Sequence, residues 1–362
     1  MDDQISKAMQ QVRVVFGASI RKTIANEVRR LGASRALILS TPQQSDAAFE
    51  IAELLGPLAA GVFCKAEMHT PVTITDAAML HVKEIQADCV ITIGGGSTTG
   101  LGKAIAYRNN LLQIAIPTTY AGSESTPILG QTENGAKTTL SDARVLPEVI
   151  LYDPELVVSL PVTMTVTSAL NAMAHAAEAL YATDRTTKTT TMAMDGLKSF
   201  VDGLPRVLAN PSDLAAREVT LRGAWACGTV LGQVGMALHH KLCHTLGGSF
   251  GLPHAETHAI VLPHAIAYNA HAASAELQPI CNLLGGENAG LALHGFAQKM
   301  NAPLALRDLG LQESDLDRAA DIATTKPYPN PQPVTRDDIR ALLQAAWAGD
   351  APSTLDKSGY RG

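Results

Sequence analysis

Six short runs in the first 155 residues are almost continuously apolar or β-branched: Val12–Phe16, Ala36–Leu39, Gly61–Cys64, Cys89–Ile93, Leu111–Ile116 and Val149–Tyr152. Runs of this length bounded by turn residues predict strands. Between them, Ile20–Leu31, Ala47–Leu55 and Thr75–Gln86 repeat apolar residues at helical spacing. Gly32 closes the first, the second stops before Gly56-Pro57, and Thr75 is the expected N-cap of the third. The alternation predicts a doubly wound parallel sheet. Asn134-Gly135 between polar flanks predicts a hairpin over residues 128–140.

From Pro161 onward the strand pattern disappears. Ala-, Leu- and Met-rich stretches predict helices over Val162–Ala182, Met192–Val201, Leu214–His244 (one helix or two), His258–His271, Leu277–Leu284, Gly290–Met300, Glu313–Ala323 and Arg336–Ala348. This change of texture divides the chain near residue 157. Residues 1–157 read as an α/β nucleotide-binding domain with a parallel sheet, and 158–362 as an all-α catalytic domain. A helical bundle needs no chemistry of its own, so its polar residues must carry any further reading.

Composition narrows the class. The net charge is −6 and no basic block occurs, which argues against a nucleic-acid partner. The start, MDDQISKAMQ, has acids where a signal peptide needs lysines, and no apolar run reaches membrane-spanning length. Five scattered cysteines form no CxxC pair, as expected of packing thiols in a reducing compartment. A cytoplasmic protein without a membrane partner is expected, with a polar, frayed tail from Pro352 to Gly362.

Candidate chemistry begins at CVITIGGGSTTGLGKAIA. Gly94-Gly95-Gly96-Ser97 stands between an apolar strand and a helix, where glycines let a phosphate approach backbone N–H groups. The spacing is neither GxGxxG nor a P-loop, and a tight structural turn is the alternative. After the next strand, Thr118, Thr119 and Ser123 cluster where open α/β sheets bind ligands. Ser40 and the TPQQ that follows it occupy the position that often carries a ribose-binding carboxylate. With none present, NADPH is expected to be admitted alongside NADH.

Nine of the eleven histidines follow residue 170. Asn171 and His175 are one helical turn apart, as are His240 and His244; His239, His254, His258 and His264 lie nearby in the sequence. A single helical histidine is usually a packing or surface residue, but this many in apolar surroundings points to acid/base or metal chemistry. Two patterns mislead. HAETH is not HExxH, and GGSFG lacks the strand that a nucleophile elbow requires.

IGGGSTTGLGKA, IPTTYAGSES, GAKTT, NAMAHAAEA and HHKLCHTLGGSFGLPHAETHAIVLPH together resemble the iron-containing alcohol dehydrogenases, over most of the chain and in family order. The resemblance implies a dehydroquinate-synthase-like fold, a metal held by Asp-x3-His and His-x13-His, Lys137 reaching the cofactor, and His244 near the nicotinamide and substrate. The metal positions here are Asn171, His175, His240 and His254, so the aspartate is replaced; an aspartate of the family's glycine motif is likewise Gly100. These departures, with the TPQQ, TTYAGSE and LPHAETHAIVLPH wording, resemble the maleylacetate reductase branch. That branch reduces a carbon–carbon double bond of a dicarboxylate, maleylacetate, to give 3-oxoadipate.

A neutral amide is a poorer ligand than a carboxylate, so no tightly bound metal is expected. Reduction of a conjugated enone can proceed through an enolate held by protonated imidazole. The expected catalytic set is therefore His175, His240, His244, His254 and Asn171. Lys241 and Tyr328 are candidate substrate contacts, and Gly94, Gly95, Gly96, Ser97, Thr118, Thr119, Ser123, Lys137 and Ser40 are candidate cofactor contacts. A homodimer is the expected assembly. The rival readings are a metal-dependent alcohol or polyol dehydrogenase, a lyase using NAD transiently, and a nucleotide-binding protein without turnover.

Overall fold

In the first half the chain alternates strand and helix because the inner apolar runs are buried on both faces, so each needs a covering helix before the next. The computed structural model of the protein describes residues 3–133 and 136–353. The elements are α1 (Asp3–Gln11), β1 (Arg13–Phe16), α2 (Ile24–Arg30), β2 (Ala36–Leu39), α3 (Ser45–Leu55), β3 (Ala59–Phe63), α4 (Val72–Glu84), β4 (Cys89–Gly94), α5 (Gly96–Asn109), β5 (Leu112–Pro117), β6 (Ile128–Glu133), β7 (Ala136–Ser141) and β8 (Val149–Tyr152). The chain then becomes helical: α6 (Val162–Ala179), α7 (Thr187–Ala209), α8 (Leu214–Leu231), α9 (Leu238–Phe250), α10 (His254–Asn269), α11 (Ser274–Leu284), α12 (Ala289–Lys299), α13 (Leu316–Thr324) and α14 (Arg336–Ala348). Two compact units result. One is Met1–Leu160 with Ser212–Leu221, the other Pro161–Pro211 with Arg222–Gly362.

The first unit holds a six-stranded sheet in the order β1-β8-β5-β4-β2-β3. Every pairing is parallel. Side chains alternate between the two faces. Ile38, Ile91 and Ile93 pack with Ile24, Val28 and Ile51 of α2 and α3. Leu37, Leu39 and Val90 pack with Val82 of α4 and Leu101 and Ile105 of α5. From β2 the chain moves outward to β3, then returns to the other side of β2 as β4 and continues through β5. The direction of winding therefore reverses between β2 and β4, the place where open sheets leave a crevice for ligands. A separate antiparallel pair, β6 and β7, forms the expected hairpin; Asn134 and Gly135 lie outside the described residues.

In the second unit, one core cluster joins Leu242 and Leu246 of α9, Ile260 and Val261 of α10, Ala319 and Ala323 of α13, and Ile339 and Leu343 of α14. The stretch Leu214–His244 resolves into α8 and α9, and its first part, Leu214–Leu221, belongs to the first unit. The helix expected over Met192–Val201 is longer, because a reciprocal Thr186–Thr189 capping box starts it at Thr187. That expected from His258 begins instead at His254, directly after Pro253. Thr75 is not an N-cap. Its helix starts at Val72 with Pro71 as the N-cap, and the Thr75 hydroxyl donates back to the Pro71 carbonyl at 3.3 Å. Among the described residues, no helix is long and apolar enough to cross a membrane. The tail from residue 354 lies outside the described residues.

Candidate active-site residues

The glycine turn lies at the reversal point. Gly94 ends β4 with φ +155°, and a Cβ there would meet Thr98 Oγ1 at 2.4 Å and Gln44 Oε1 at 2.9 Å. Gly95 caps α5, whose first turn carries no acidic residue; a Cβ on Gly95 would press on Thr119 Cγ2 at 2.8 Å. Gly96 is exposed and Ser97 half-buried at the first turn of α5. Thr118 accepts a bond from Gln44 Nε2 at 2.8 Å, and its N–H donates to the Gly94 carbonyl at 3.1 Å. The loops after β2, β4 and β5 are thereby tied together. Thr98 Oγ1 and Ser123 Oγ are buried there without a hydrogen-bond partner. A buried hydroxyl is normally satisfied, so both are available to an incoming anion.

Ser40 lies at the end of β2, wholly buried, its hydroxyl donating to the Thr41 carbonyl at 3.0 Å. Lys137 pairs with Thr132 across the hairpin; its side chain lies outside the described residues. A residue the sequence reading passed over, Lys103 on α5, donates to Ser123 O, Thr126 O, Thr126 Oγ1 and Ile128 O, fixing the loop that carries Ser123. Gly100 has a local reason of its own: a Cβ there would stand 2.3 Å from Thr70 Oγ1.

The second unit gathers the histidines. α6 presents Asn171, His175 and Glu178 at helical spacing, all buried. His175 Nδ1 and His240 Nε2 are 3.0 Å apart. His240 Nδ1 lies 2.6 Å from Glu178 Oε2. That carboxylate also accepts the backbone N–H groups of Ala237 at 3.2 Å, His239 at 2.7 Å and His240 at 3.4 Å. It therefore caps the positive end of α9 while fixing the His240 ring. Burial alone would raise the Glu178 pKa, but the bond from His240, the charges of His240 and His239 and the Ala237 amide bring it down to about 2. Glu178 was absent from the sequence reading, although it lies three residues after His175 on the same helix. Its role became visible only with α9 set against it.

His244 and His254 are exposed. The His244 ring stands 6.1 Å from that of His240 and the His254 ring 4.3 Å from that of His258. His258 lies in turn 5.2 Å from His240 and 6.1 Å from His175. The four expected histidines thus share one cluster, joined by His239 and His258. His264 is apart from it, beside His294. The Asn171 Oδ1 is buried and has no hydrogen-bond partner. Lys241 is half-buried, one residue round α9 from His240. Tyr328 packs against the core, its hydroxyl buried without a partner. Its proline-rich segment is pinned to α10 by the reciprocal Asn269–Asn330 bonds at 2.9 and 2.8 Å. Asn269 also donates to the Tyr181 hydroxyl at 3.2 Å, which donates to Glu178 Oε1 at 3.3 Å. GGSFG forms the end of α9 and the turn after it, which removes the hydrolase elbow.

The profile described as iron-containing alcohol dehydrogenase matches residues 11–154, and that of the Fe-containing alcohol dehydrogenase family, C-terminal, matches residues 165–347. The chain is 57% identical to a maleylacetate reductase of Rhizobium sp. over 94% of this chain and 97% of that one. It is 51% identical to one of Burkholderia cepacia, with the same coverage. A crystal structure of maleylacetate reductase from Agrobacterium tumefaciens superposes with a TM-score of 0.92 at 56% identity, over 94% and 97% of the two chains.

Proposed function

The chain belongs to the iron-containing alcohol dehydrogenase family, and from that premise we propose that it works as a maleylacetate reductase, converting maleylacetate to 3-oxoadipate with NADH or NADPH. It is an oxidoreductase whose named relatives of 46–57% identity span nearly its full length. The observation that carries the site assignment is the buried relay Glu178–His240–His175, flanked by the exposed rings of His244 and His254.

The first unit fits a dinucleotide. The unpartnered hydroxyls of Thr98 and Ser123 and the open first turn of α5 suit its pyrophosphate. Gly94, Gly95, Gly96, Ser97, Thr118 and Thr119 shape the cradle, with Lys137 as a further contact. No carboxylate follows β2 at Ser40–Gln43 to repel a 2′-phosphate. When bound, the nicotinamide supplies a hydride to the alkene carbon distal to the ketone.

The chain's residues manage the charge that follows. Glu178 holds the His240 ring with Nδ1–H directed at its carboxylate, leaving Nε2 for His175 or for the substrate. A buried anion behind an imidazole stabilises the imidazolium. His240 and His175 thus hold a proton opposite the developing enolate oxygen. His244 and His254, reachable from solvent, deliver the proton to carbon and attract the substrate carboxylates. The Asn171 amide oxygen, otherwise unsatisfied, accepts a bond from whatever donor occupies the site.

Of a metal, the donors present fit one in part. Asn171, His175, His240 and His254 would hold it, and it would supply Lewis-acid polarisation of the ketone. None of the four is anionic, and the nearest carboxylate, Glu178, is engaged by His240 and three backbone amides. We infer that turnover does not depend on a tightly held ion. The test is NAD(P)H oxidation with maleylacetate before and after exhaustive chelation: equal rates support the reading. Activity with simple alcohols that requires added metal would favour the alcohol dehydrogenase alternative. A cytoplasmic location is supported by five free cysteines. A homodimer rests on the general prevalence of such assemblies.

A further inference from the structure

We propose that His239, Cys243 and His258 form a separate cation site of the zinc type, holding an exchangeable ion beside the reaction site. His239 and Cys243 lie one turn apart on α9, and His258 lies on α10. His239 Nε2 is 3.0 Å from His258 Nδ1 and 3.6 Å from Cys243 Sγ. The three ligating atoms all lie within 4.8 Å of one another, and all three residues are buried. A tetrahedral zinc ion with ordinary bond lengths places two nitrogens about 3.3 Å apart and a nitrogen and a sulfur about 3.6 Å apart. The His239–His258 and His239–Cys243 separations match those edges with small adjustments, and Cys243 Sγ lies within 4.8 Å of the His258 nitrogen. Two imidazoles and a thiolate are also the borderline-soft donors that zinc prefers, in contrast to the amide-and-imidazole set at Asn171.

The surroundings leave the two imidazoles available. Both imidazoles are buried, one on each of the two helices. His239 Nδ1 and His258 Nε2 have no hydrogen-bond partner. No outer bond therefore locks either ring in a tautomer that would withhold its inner nitrogen. The same gap sets the strength. Ligating histidines normally donate their second N–H, and loss of such a partner weakens binding about 10- to 100-fold. This ion should therefore be exchangeable, unlike a resident structural one. On binding, the metal–sulfur bond forms as the Cys243 S–H bond breaks, and the proton leaves to solvent. No redox change occurs. Because the His258 ring lies tilted against that of His254, 4.3 Å away, drawing His258 onto an ion shifts a ring of the reaction site, and zinc should slow turnover.

The experiment titrates the full-length, chelator-treated protein with Co²⁺, without nicotinamide. A near-ultraviolet thiolate-to-cobalt charge-transfer band should grow to saturation at one ion per chain and collapse on adding Zn²⁺. Cys243→Ser should lose the band and the zinc inhibition while keeping basal turnover. His175→Ala should retain the band, which separates this site from the reaction site and covers the case in which the cysteine variant does not fold. Cobalt binding with no charge-transfer band, or a band that survives in a folded Cys243→Ser variant, overturns the proposal. Either outcome leaves the reductase assignment untouched, because that is read separately from NAD(P)H oxidation.

Discussion

Replacing Glu178 by glutamine tests the imidazole relay most directly. The carboxylate takes up His240 Nδ1 at 2.6 Å and three backbone N–H groups at the start of α9. An amide of the same shape keeps one acceptor oxygen but turns an NH2 toward the remaining donors, so at least one buried N–H loses its partner. A carboxyl held at about 2 rather than its ordinary 4.5 contributes about 3 kcal/mol of stability at neutral pH. The folded-state value lies below the unfolded one, so that contribution is complete above about 4.5 and fades as the pH falls toward 2. Glu178→Gln should therefore unfold about 3 kcal/mol more easily in urea at pH 7, and the gap from wild type should narrow as the medium is acidified. If the glutamine oxygen still accepts from Nδ1, the His240 tautomer survives while stabilisation of its imidazolium does not. Under saturating substrate, kcat should fall about 100-fold, with NAD(P)H binding unaffected. A variant with wild-type kcat and an unaltered pH profile would refute the relay. A stability deficit that persists unchanged into acid would refute the electrostatic account of Glu178.

Asn171→Asp restores a carboxylate ligand, so divalent metal content after dialysis should rise about tenfold or more, measured by elemental analysis; equal content in both proteins would contradict the role given to the amide. Gln43→Asp, on the exposed part of the loop after β2, should raise the KM for NADPH about tenfold or more and leave that for NADH nearly unchanged, checked by paired steady-state kinetics. Gly100→Asp must displace Thr70, whose hydroxyl would lie 2.3 Å from the new Cβ, and should lower the thermal midpoint by several degrees. Lys103→Met leaves the carbonyls of Ser123, Thr126 and Ile128 without their ammonium donor; a loss of about 3 kcal/mol is expected by denaturant titration, together with weaker dinucleotide binding.

Much of this molecule was legible in one dimension because its signals are local. Continuous apolar runs such as Cys89–Ile93 mark strands covered on both faces, glycines at 94–96 mark a backbone that something must approach closely, and two histidines four apart on one helix share a face whatever surrounds them. Motif wording added the family. Helix ends were less legible: Pro71 and the Thr186–Thr189 box decide where α4 and α7 begin, and such caps depend on φ/ψ values that composition does not specify. What only the tertiary structure decided is which partners meet. Glu178 looks like one more helix-forming residue until α9 brings the His240 ring and three unpaired amides onto it. Likewise Cys243 reads as packing until His258 arrives from α10. Long-range contact, not local propensity, sets the protonation and hydrogen bonding of a buried group, because both depend on charges and donors contributed by distant stretches of chain.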